Sequence, residues 1–231
     1  MENSIEQNIA EVLRYYEEKK TLIEPLLAGV EAFFRKNTAL RPYIHTINTR
    51  LKDPTHLADK IARKAQKSKV ITPDNLFETV TDLAGVRVLH LYPRQFDVIH
   101  AALMKAINDD GLWKLYEQPV AYTWDPESEQ HFKELGLRTE LRDTYYTSIH
   151  YVVRPNNQLA NTPCCEIQVR TLFEEIWGEI DHHINYPHPT KSLACKEQLR
   201  VLSKLVSTGT RLADAIYNCY DAYEQEVEHD K

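Results

Sequence analysis

Residues 165–186 read CEIQVRTLFEEIWGEIDHHINY, and this stretch decides the fold because it predicts a strand that runs directly into a helix. In an extended chain, successive side chains point to opposite faces. Over residues 164–170 one face would be apolar, and the other would carry Glu166, Gln168 and Arg170. Such a strand is either an edge strand with a solvated face or a rigid support for a binding site, and this stretch alone favours neither.

The helix that follows has a clear start signal. Thr171 fits the N-cap position, and Glu174 three residues later completes a capping box. Apolar side chains then recur at helical spacing, which predicts that this helix packs on the core through Phe173, Ile176, Trp177, Ile180 and Ile184.

Elsewhere the chain alternates between helical and strand patterns. Helical spacing predicts a helix over residues 4–20, an interruption over 21–25, a second helical piece, and a long C-terminal helix over about 195–226. Strand patterns cover 86–91 and 113–123, and a further two at 137–141 and 147–154 are expected to form an antiparallel pair. The acidic segment 124–135 is expected to be a polar connection with one or two helical turns, and it is the best candidate for a mobile loop near the site. The fold class is therefore mixed α/β, with one sheet and flanking helices.

Composition limits the class of protein. With 42% hydrophobic and 27% charged residues, the chain is typical of a soluble globular protein. There is no apolar run long enough to span a membrane and no signal peptide, so we expect a cytoplasmic protein that makes no membrane contact. The four cysteines lack metal-ligand spacing and are expected to be reduced thiols. The net charge of −6 argues against broad nucleic-acid binding.

One basic segment stands out in this acidic chain. Residues 50–67, RLKDPTHLADKIARKAQK, carry mostly Lys and Arg, and Pro54 is expected near the start of a helix. The segment is either a solvated helix face or a site for an anionic ligand. Its single sign of charge, beginning in extended chain at Arg50 and Lys52, favours the anion. Because no glycine-rich phosphate loop is present, side-chain cations would have to hold any nucleotide phosphates.

Polar residues also mark the predicted strands. Asp82 lies at the entrance of one strand and Arg87 inside it, although strict alternation would place the two on opposite faces unless a turn or bulge near Gly85 intervenes. Tyr146 and His150 share a face of another strand. Two carboxylates, Asp82 and Glu166, could hold Mg²⁺, and Tyr146 could stack on a base. These features predict metal-assisted transfer from a nucleoside triphosphate.

Four blocks of sequence, in this order, resemble the synthetase domain of the RelA/SpoT family, and in particular the small alarmone synthetases. The blocks are Arg50-Leu-Lys52 with Lys60; DLAGVR over 82–87; YTSIH over 146–150; and EIQVRT over 166–171 with the Trp177, Asp181-His182 and Tyr186 tail. The resemblance implies a nucleotidyltransferase-like mixed sheet flanked by helices. It spans residues 50–186, inside a single domain with N-terminal helices at 1–45, a catalytic core at 46–190 and a C-terminal helix at 191–231.

The resemblance also implies an activity, transfer of the β,γ-pyrophosphate of ATP to the 3′-hydroxyl of GDP or GTP. It implies that Arg50 and Arg87 sandwich adenine and that Lys52 and Lys60 contact its phosphates. It implies further that Asp82 and Glu166 bind Mg²⁺, with Glu166 deprotonating the attacking hydroxyl. On the acceptor side, Tyr146 would stack on the base beside His150 and Gln168.

The chain departs from the family just before Tyr146. The family commonly has a Lys and then Asn-Gly there, whereas this chain has Arg142-Asp-Thr144-Tyr145. Arg142 can replace the lysine's charge and is the candidate acceptor contact. Thr144 and Tyr145 are bulkier and differently polar than Asn-Gly. The resemblance extends to relatives with altered acceptor regions that modify adenine nucleotides or the 3′-end of tRNA, so either of these is an alternative acceptor.

Two further hypotheses concern the class of protein. The first is a catalytically silent nucleotide-binding module, and the second is a structural helical protein with a polar sheet, which leaves the basic segment without a purpose. Glu179 and His183 are spaced like a zinc pair but have no third ligand, so we interpret them as helix surface. The pattern of the family's hydrolase domain is missing. The resemblance also implies a homo-oligomer formed through the terminal helices.

Overall fold

The computed structural model describes residues 2–157, 159, 161–186 and 188–229, so residues 1, 230 and 231 of the predicted terminal segments lie outside it. The helices are α1 (Glu2–Lys36), α2 (Pro54–Ala65), α3 (Leu76–Thr79), α4 (Arg94–Asn108), α5 (Pro126–Glu134), α6 (Leu172–Asn185) and α7 (Leu193–His229). The strands are β1 (Thr46–Leu51), β2 (Ala84–His90), β3 (Trp113–Leu115), β4 (Val120–Thr123), β5 (Arg138–Leu141), β6 (Ser148–Pro155) and β7 (Cys165–Thr171). Short 3₁₀ turns lie at Arg41–Tyr43 and Pro73–Asn75.

The strands form one mixed sheet in the order β1-β2-β7-β6-β4-β5, with β3 paired to β6. At its centre β2 and β7 run parallel, while β1 and β6 lie antiparallel on either side of them. The sheet residues that alternate with the polar ones pack into one core with α1, α2 and α4, and that core includes Val86, Val88, Ile149, Ile167 and Val169. This architecture confirms the predicted mixed sheet with flanking helices.

The prediction that residues 137–141 and 147–154 form an antiparallel pair is wrong. Strand β5 pairs in parallel with β4, and β4 separates it from β6. The connection explains the difference, because α5 carries the chain from the end of β4 back to the end of the sheet at which β4 begins, as a parallel pair requires. Alternation of apolar residues predicts a strand but not its partner.

Helix α1 is continuous through Pro25, so the predicted interruption at residues 21–25 is also wrong. Proline inside a helix costs about 3 kcal/mol because it removes a hydrogen bond and crowds the preceding turn. Tertiary packing offsets this cost here, since Ile23, Leu26 and Val30 are buried on both sides of the proline. None of the described helices combines the length and apolarity needed to cross a membrane.

Helix α6 begins with the predicted capping box, in which Thr171 accepts from Glu174 N and Glu174 accepts from Thr171 N. The predicted buried face is only partly correct. Trp177 is buried and donates its indole N–H to Leu199 O at 3.0 Å, but Phe173, Ile176 and Ile180 are exposed. The reason is that α6 extends away from the end of β7 and packs mainly on one helix, α7. That helix covers only one row of the side chains of α6.

Residues 124–135 form a capped helix, α5, and do not lie at the polar face of the sheet. Asp125 caps α5 by accepting from Ser128 N. The same carboxylate pairs with Arg211 of α7 at 2.6 Å. The acidic residues predicted to form a mobile loop near the site therefore connect α5 to α7 instead.

Candidate active site

The register of the sheet aligns the predicted site residues in two adjacent rows on one face, with Arg50 level with Glu166 in one row and Arg87, Gln168 and His150 in the other. Arg50 on β1 lies opposite Gly85 on β2, Arg87 lies opposite Gln168 on β7, and Gln168 lies opposite His150 on β6. Residues opposite one another in a sheet share a face. The polar face predicted from the alternation in β7 therefore extends over four strands.

Gly85 allows Arg50 to lie close to the sheet. A Cβ atom at Gly85 would stand 3.4 Å from both Cγ and Nε of Arg50. The arginine stem therefore runs directly over the bare backbone of the glycine, and this holds the guanidinium near the row of polar groups. Glycine commonly marks such a close approach within a strand.

Asp82 reaches the same face because it precedes β2. It lies in a turn, and the strand begins only at Ala84, so alternation does not apply to it. The turn that the sequence required is thus present. Lys52 Nζ contacts one carboxylate oxygen of Asp82 at 2.6 Å, and Lys60 Nζ contacts the other at 2.7 Å. Burial alone would raise the pKa of Asp82, but the two ammonium groups outweigh it and lower the pKa to about 2.

Glu166 is held by its neighbours on β6 and β7. Its Oε1 lies 3.0 Å from His150 Nδ1, and its Oε2 accepts from Gln168 Nε2 at 2.8 Å. Burial acts to raise the pKa of Glu166, but the hydrogen bond and positive charge of His150 outweigh it and lower the pKa. The negative charge of Asp82 acts to raise the pKa of Glu166, so the two carboxylates interact electrostatically across the site.

Tyr146 is partly buried, whereas the sequence suggested an exposed ring. Its hydroxyl lies 3.0 Å from His150 Nε2, and burial raises its pKa. The residue before it, Tyr145, has φ +60°, a left-handed conformation that favours glycine. The departure from Asn-Gly therefore places a bulky side chain in a backbone conformation that costs roughly 1–2 kcal/mol for a non-glycine residue.

Arg142 does not join the other predicted residues in the cleft. Its guanidinium lies 4.2 Å from the centre of the Tyr122 ring and bonds to Glu140 at 3.3 Å. The nearby carboxylate of β5 accounts for this position. Its link to the site is indirect, through Tyr122, whose ring meets His150 edge to face at 4.9 Å.

The polar face opens into a cleft of about 530 Å³, bounded on one side by α6. Five predicted residues, Arg50, Lys52, Arg87, Tyr146 and Gln168, line it. A neighbouring cavity of about 290 Å³ shares Arg50, Arg87 and Gln168 with the cleft and reaches Glu166. The two cavities are neighbours through these shared residues, and each offers polar groups to a ligand.

Several lining residues were not among the predicted site residues: His56, Arg63, Arg170, Gly178, Glu179, Asp181, His182, Asn185 and Tyr186. The rings of His182 and Tyr186 stack at 4.6 Å, and His56 meets Tyr186 edge to face. Arg63 could have been found, because it follows Lys60 within the basic segment. The α6 residues carried a weaker signal, the spacing of polar residues on one helix face.

Arg87 is paired before any ligand binds. Its Nη1 contacts Glu175 at 2.5 Å and Glu179 at 2.7 Å, both on α6. Burial acts to lower the pKa of Arg87, but the two carboxylates outweigh it and raise that pKa. Within the described residues, no group of three or more His, Cys, Asp or Glu side chains could hold a metal ion. A cation here would use Asp82 and Glu166 alone, as Mg²⁺ does when substrate phosphates complete its ligands.

The sequence of the core matches a family model. Residues 49–191, more than half of the chain, match the model described as the region found in RelA and SpoT proteins. The chain belongs to the RelA/SpoT family. No curated protein matches it in sequence.

Solved structures share the fold across nearly the whole chain. A GTP pyrophosphokinase family protein from Streptococcus pneumoniae is 19% identical, with 91% of this chain and 95% of that chain covered and a TM-score of 0.64. Small alarmone synthetase 1 from Bacillus subtilis, bound to its product pppGpp, is 19% identical over 90% and 97% of the two chains, with a TM-score of 0.62. The same synthetase bound to AMPCPP is 17% identical over 91% and 99%, with a TM-score of 0.59.

Proposed function

We propose that this RelA/SpoT family member transfers the β,γ-pyrophosphate of ATP to the ribose 3′-hydroxyl of GDP or GTP, releasing AMP. The observation that carries the proposal is the single polar face, on which a lysine-paired Asp82 and a histidine-paired Glu166 lie beside Arg50, Arg87 and Tyr146, and these last three residues line the neighbouring cavities. The nucleotides bound by the B. subtilis relative, pppGpp and AMPCPP, are of the kinds the proposal requires.

On the donor side, cationic groups would bind ATP. Arg50 and Arg87 lie on adjacent strands and border both cavities, where they can stack on the two faces of adenine. Lys52 and Lys60 would turn from Asp82 to the phosphates, because a triphosphate carries more negative charge than one carboxylate. Arg63, which also lines the cleft, would add a further phosphate contact.

On the acceptor side, Tyr146 would stack on the base and Glu166 would accept the proton of the 3′-hydroxyl. The hydroxyl oxygen then forms a bond to the β-phosphorus of ATP, and the bond from that phosphorus to the oxygen bridging to the α-phosphate breaks. AMP leaves with that electron pair. The lowered pKa of Glu166 keeps the carboxylate ionised at neutral pH, as a proton acceptor requires.

Asp82 and Glu166 would hold Mg²⁺ once the lysines have moved to the phosphates. The ion would neutralise charge on the transferred phosphates, which is the main demand of phosphoryl chemistry. Both carboxylates have lowered pKa values and so are ionised at neutral pH, which fits them as ligands for a hard cation.

An adenine nucleotide or the tRNA 3′-end is the second candidate acceptor. It is favoured by the region before Tyr146, where Tyr145 takes a left-handed conformation and Arg142 bonds to Glu140 outside the cleft. Mass spectrometry of reactions containing ATP, Mg²⁺ and one of GDP, GTP, AMP, ADP or bulk tRNA would separate the two acceptors. A 3′-pyrophosphorylated guanine nucleotide with AMP release supports the proposal, whereas product only with adenine nucleotides or tRNA supports the alternative. Absence of AMP from every reaction would favour a silent nucleotide-binding module.

A second copy of the chain is the proposed partner of α7. Its exposed apolar residues, Leu205, Leu212, Ile216, Tyr220 and Tyr223, recur at intervals of three, four and seven, the spacing of a helix–helix seam. Ile176 and Ile180 of α6 add to this exposed surface. Light scattering on the wild type and on Leu212→Lys/Ile216→Lys would test it, with a wild-type monomer refuting the proposal.

Since ATP and GTP are abundant in the cytoplasm, we propose that the activity takes place there.

A further inference from the structure

Glu175 of α6 contacts two arginines from adjacent strands, Arg87 of β2 and Arg170 of β7. Its Oε1 lies 2.5 Å from Arg87 Nη1, and its Oε2 pairs with Arg170 Nη2. The residue is only 9% exposed. A buried carboxylate shared by two guanidiniums keeps both in place, because its loss would leave the buried Arg170 and the partly buried Arg87 close together without the negative charge that they share.

Arg170 lies between Glu175 and Tyr146 and contacts both. Its side chain is 4% exposed, and its guanidinium lies over the Tyr146 ring at 5.9 Å. The space it occupies exists because residue 178 is glycine, since a Cβ atom there would stand 2.7 Å from Arg170 Nη1. Arg170 is thus confined between α6 and the tyrosine, and a change in its place changes the support behind the ring.

Glu179 provides an internal comparison. It lies four residues after Glu175, so the two carboxylates share a helix face. It contacts Arg87 at 2.7 Å, and its side chain is 60% exposed. Within the part of the chain that the structure describes, its ion pair is with Arg87 alone, so it acts on the donor side.

We propose that Glu175 is a positioning residue shared by the donor and acceptor sites. It orients Arg87 for the adenine of ATP and, through Arg170, supports Tyr146 under the acceptor base. The inference rests on the proposed function, because it uses the donor and acceptor roles assigned there. Because a different carboxylate oxygen contacts each arginine, loss of the carboxylate should disturb both sites, whereas displacement of one arginine should disturb only its own site.

Three substitutions test the contacts of Glu175, Glu179 and Arg170 separately. Glu175→Gln keeps the size but removes the charge and replaces one oxygen with an NH2 group, which places a donor against one of the two arginines. Glu179→Gln alters the donor-side contact only. Gly178→Ala places a methyl group against Arg170 and leaves the Glu175–Arg87 contact in place.

The experiment measures KM for ATP and for GDP in the wild type and each variant, together with equilibrium binding of AMPCPP and of GDP separately. Glu175→Gln should weaken the binding of both nucleotides by about tenfold or more, as loss of a buried charge partner does. Glu179→Gln should weaken the binding of ATP and AMPCPP only, and Gly178→Ala should weaken the binding of GDP only. Thermal unfolding shows whether each variant is folded, and Glu175→Asp, which retains the charge, should restore part of the affinity for both nucleotides.

An effect of Glu175→Gln on one nucleotide alone would overturn the shared role, as would Glu179→Gln reproducing the effect on both. Should Glu175→Gln fail to fold, Gly178→Ala and Glu175→Asp decide the matter, because an effect of Gly178→Ala on ATP binding would contradict the proposed division of the site. A wild type that forms no pyrophosphorylated product would refute the proposed function. The binding measurements would still show whether Glu175 supports the binding of both nucleotides.

Discussion

His150 contacts Glu166 with one ring nitrogen and Tyr146 with the other, each at 3.0 Å. A single imidazole therefore sets the distance between Glu166, the proposed proton acceptor, and Tyr146, the ring proposed to stack on the base of the acceptor nucleotide. The contact is possible because β6 and β7 are adjacent and antiparallel, with His150 opposite Gln168. Of the two residues that bond to Glu166, Gln168 is its neighbour on β7, and His150 is brought to it by the pairing of β6 with β7.

Glu166→Gln should abolish pyrophosphate transfer while ATP binding changes little. The amide keeps the shape and can still contact Gln168, but it can neither accept the proton nor offer a full negative charge to a cation. Product formation by mass spectrometry and AMPCPP affinity by calorimetry would be measured side by side. Normal turnover by the variant would show that the assigned role of Glu166 is wrong.

Tyr146→Ala should mainly raise the KM for the acceptor, by about 5- to 100-fold, because stacking on one base contributes about 1–3 kcal/mol. Tyr146→Phe is the matched control, since it keeps the ring and removes only the hydroxyl that contacts His150. Initial rates at varied GDP and fixed ATP provide the measurement. A change confined to ATP affinity would contradict the placement of Tyr146 on the acceptor side.

Asp82→Asn should lower the free energy of unfolding of the nucleotide-free protein by about 1–3 kcal/mol, the range for a lost hydrogen bond to a charged group. The neutral amide leaves Lys52 and Lys60 without their shared counter-charge. Urea titration of the variant is compared with Asp59→Asn, which removes an exposed acid on α2 and leaves the Asp82–Lys60 pair intact.

The same pair predicts a pH dependence. Because the pKa of Asp82 is lowered to about 2, its stabilising effect is present above its ordinary value near 4 and is lost as the pH falls toward 2. Asp82→Asn should therefore differ most from the wild type at neutral pH. Equal stability of the two proteins at neutral pH would mean that the ion pairs contribute nothing to the nucleotide-free fold.

Glu174→Gln should stabilise the protein at about pH 8 and leave it unchanged at about pH 5, because burial raises the pKa of Glu174 to about 7. A carboxyl with a raised pKa binds its proton more tightly in the folded state, so wild-type stability falls as the pH rises from about 4.5 to about 7. Glutamine keeps the capping acceptor and removes the charge. Urea titrations at both pH values should show a gain of about 1–3 kcal/mol at the higher one, at about 1.4 kcal/mol per pKa unit.

The local elements were predictable because local chemistry specifies them. The capping box of Thr171 and Glu174, Pro54 at the start of α2, and the alternation in β7 all follow from side chains within a few positions. The path of α1 through Pro25 was not predictable in the same way. Its stability depends on apolar contacts with distant parts of the chain, and no local pattern records those contacts.

The sequence named most of the residues that the structure brings to one polar face, but few of their contacts. It named Asp82, Lys52 and Lys60 without showing that they pair, and it predicted Arg142 as an acceptor contact, although Arg142 does not line the cleft. Glu175 was missed because its contacts depend on the distance from α6 to β2 and β7. Spacing along a helix cannot give that distance.

The sequence by itself determined the mixed sheet, the polar face of β7 and the family, since each depends on the identity and spacing of residues along the chain. Tertiary structure decided which strands are neighbours, that a turn brings Asp82 to the face of Arg87, and that one carboxylate of α6 holds two arginines. The physical reason is that side-chain alternation fixes a face within one strand, whereas ion pairs and cavities arise only when segments far apart in the chain pack together.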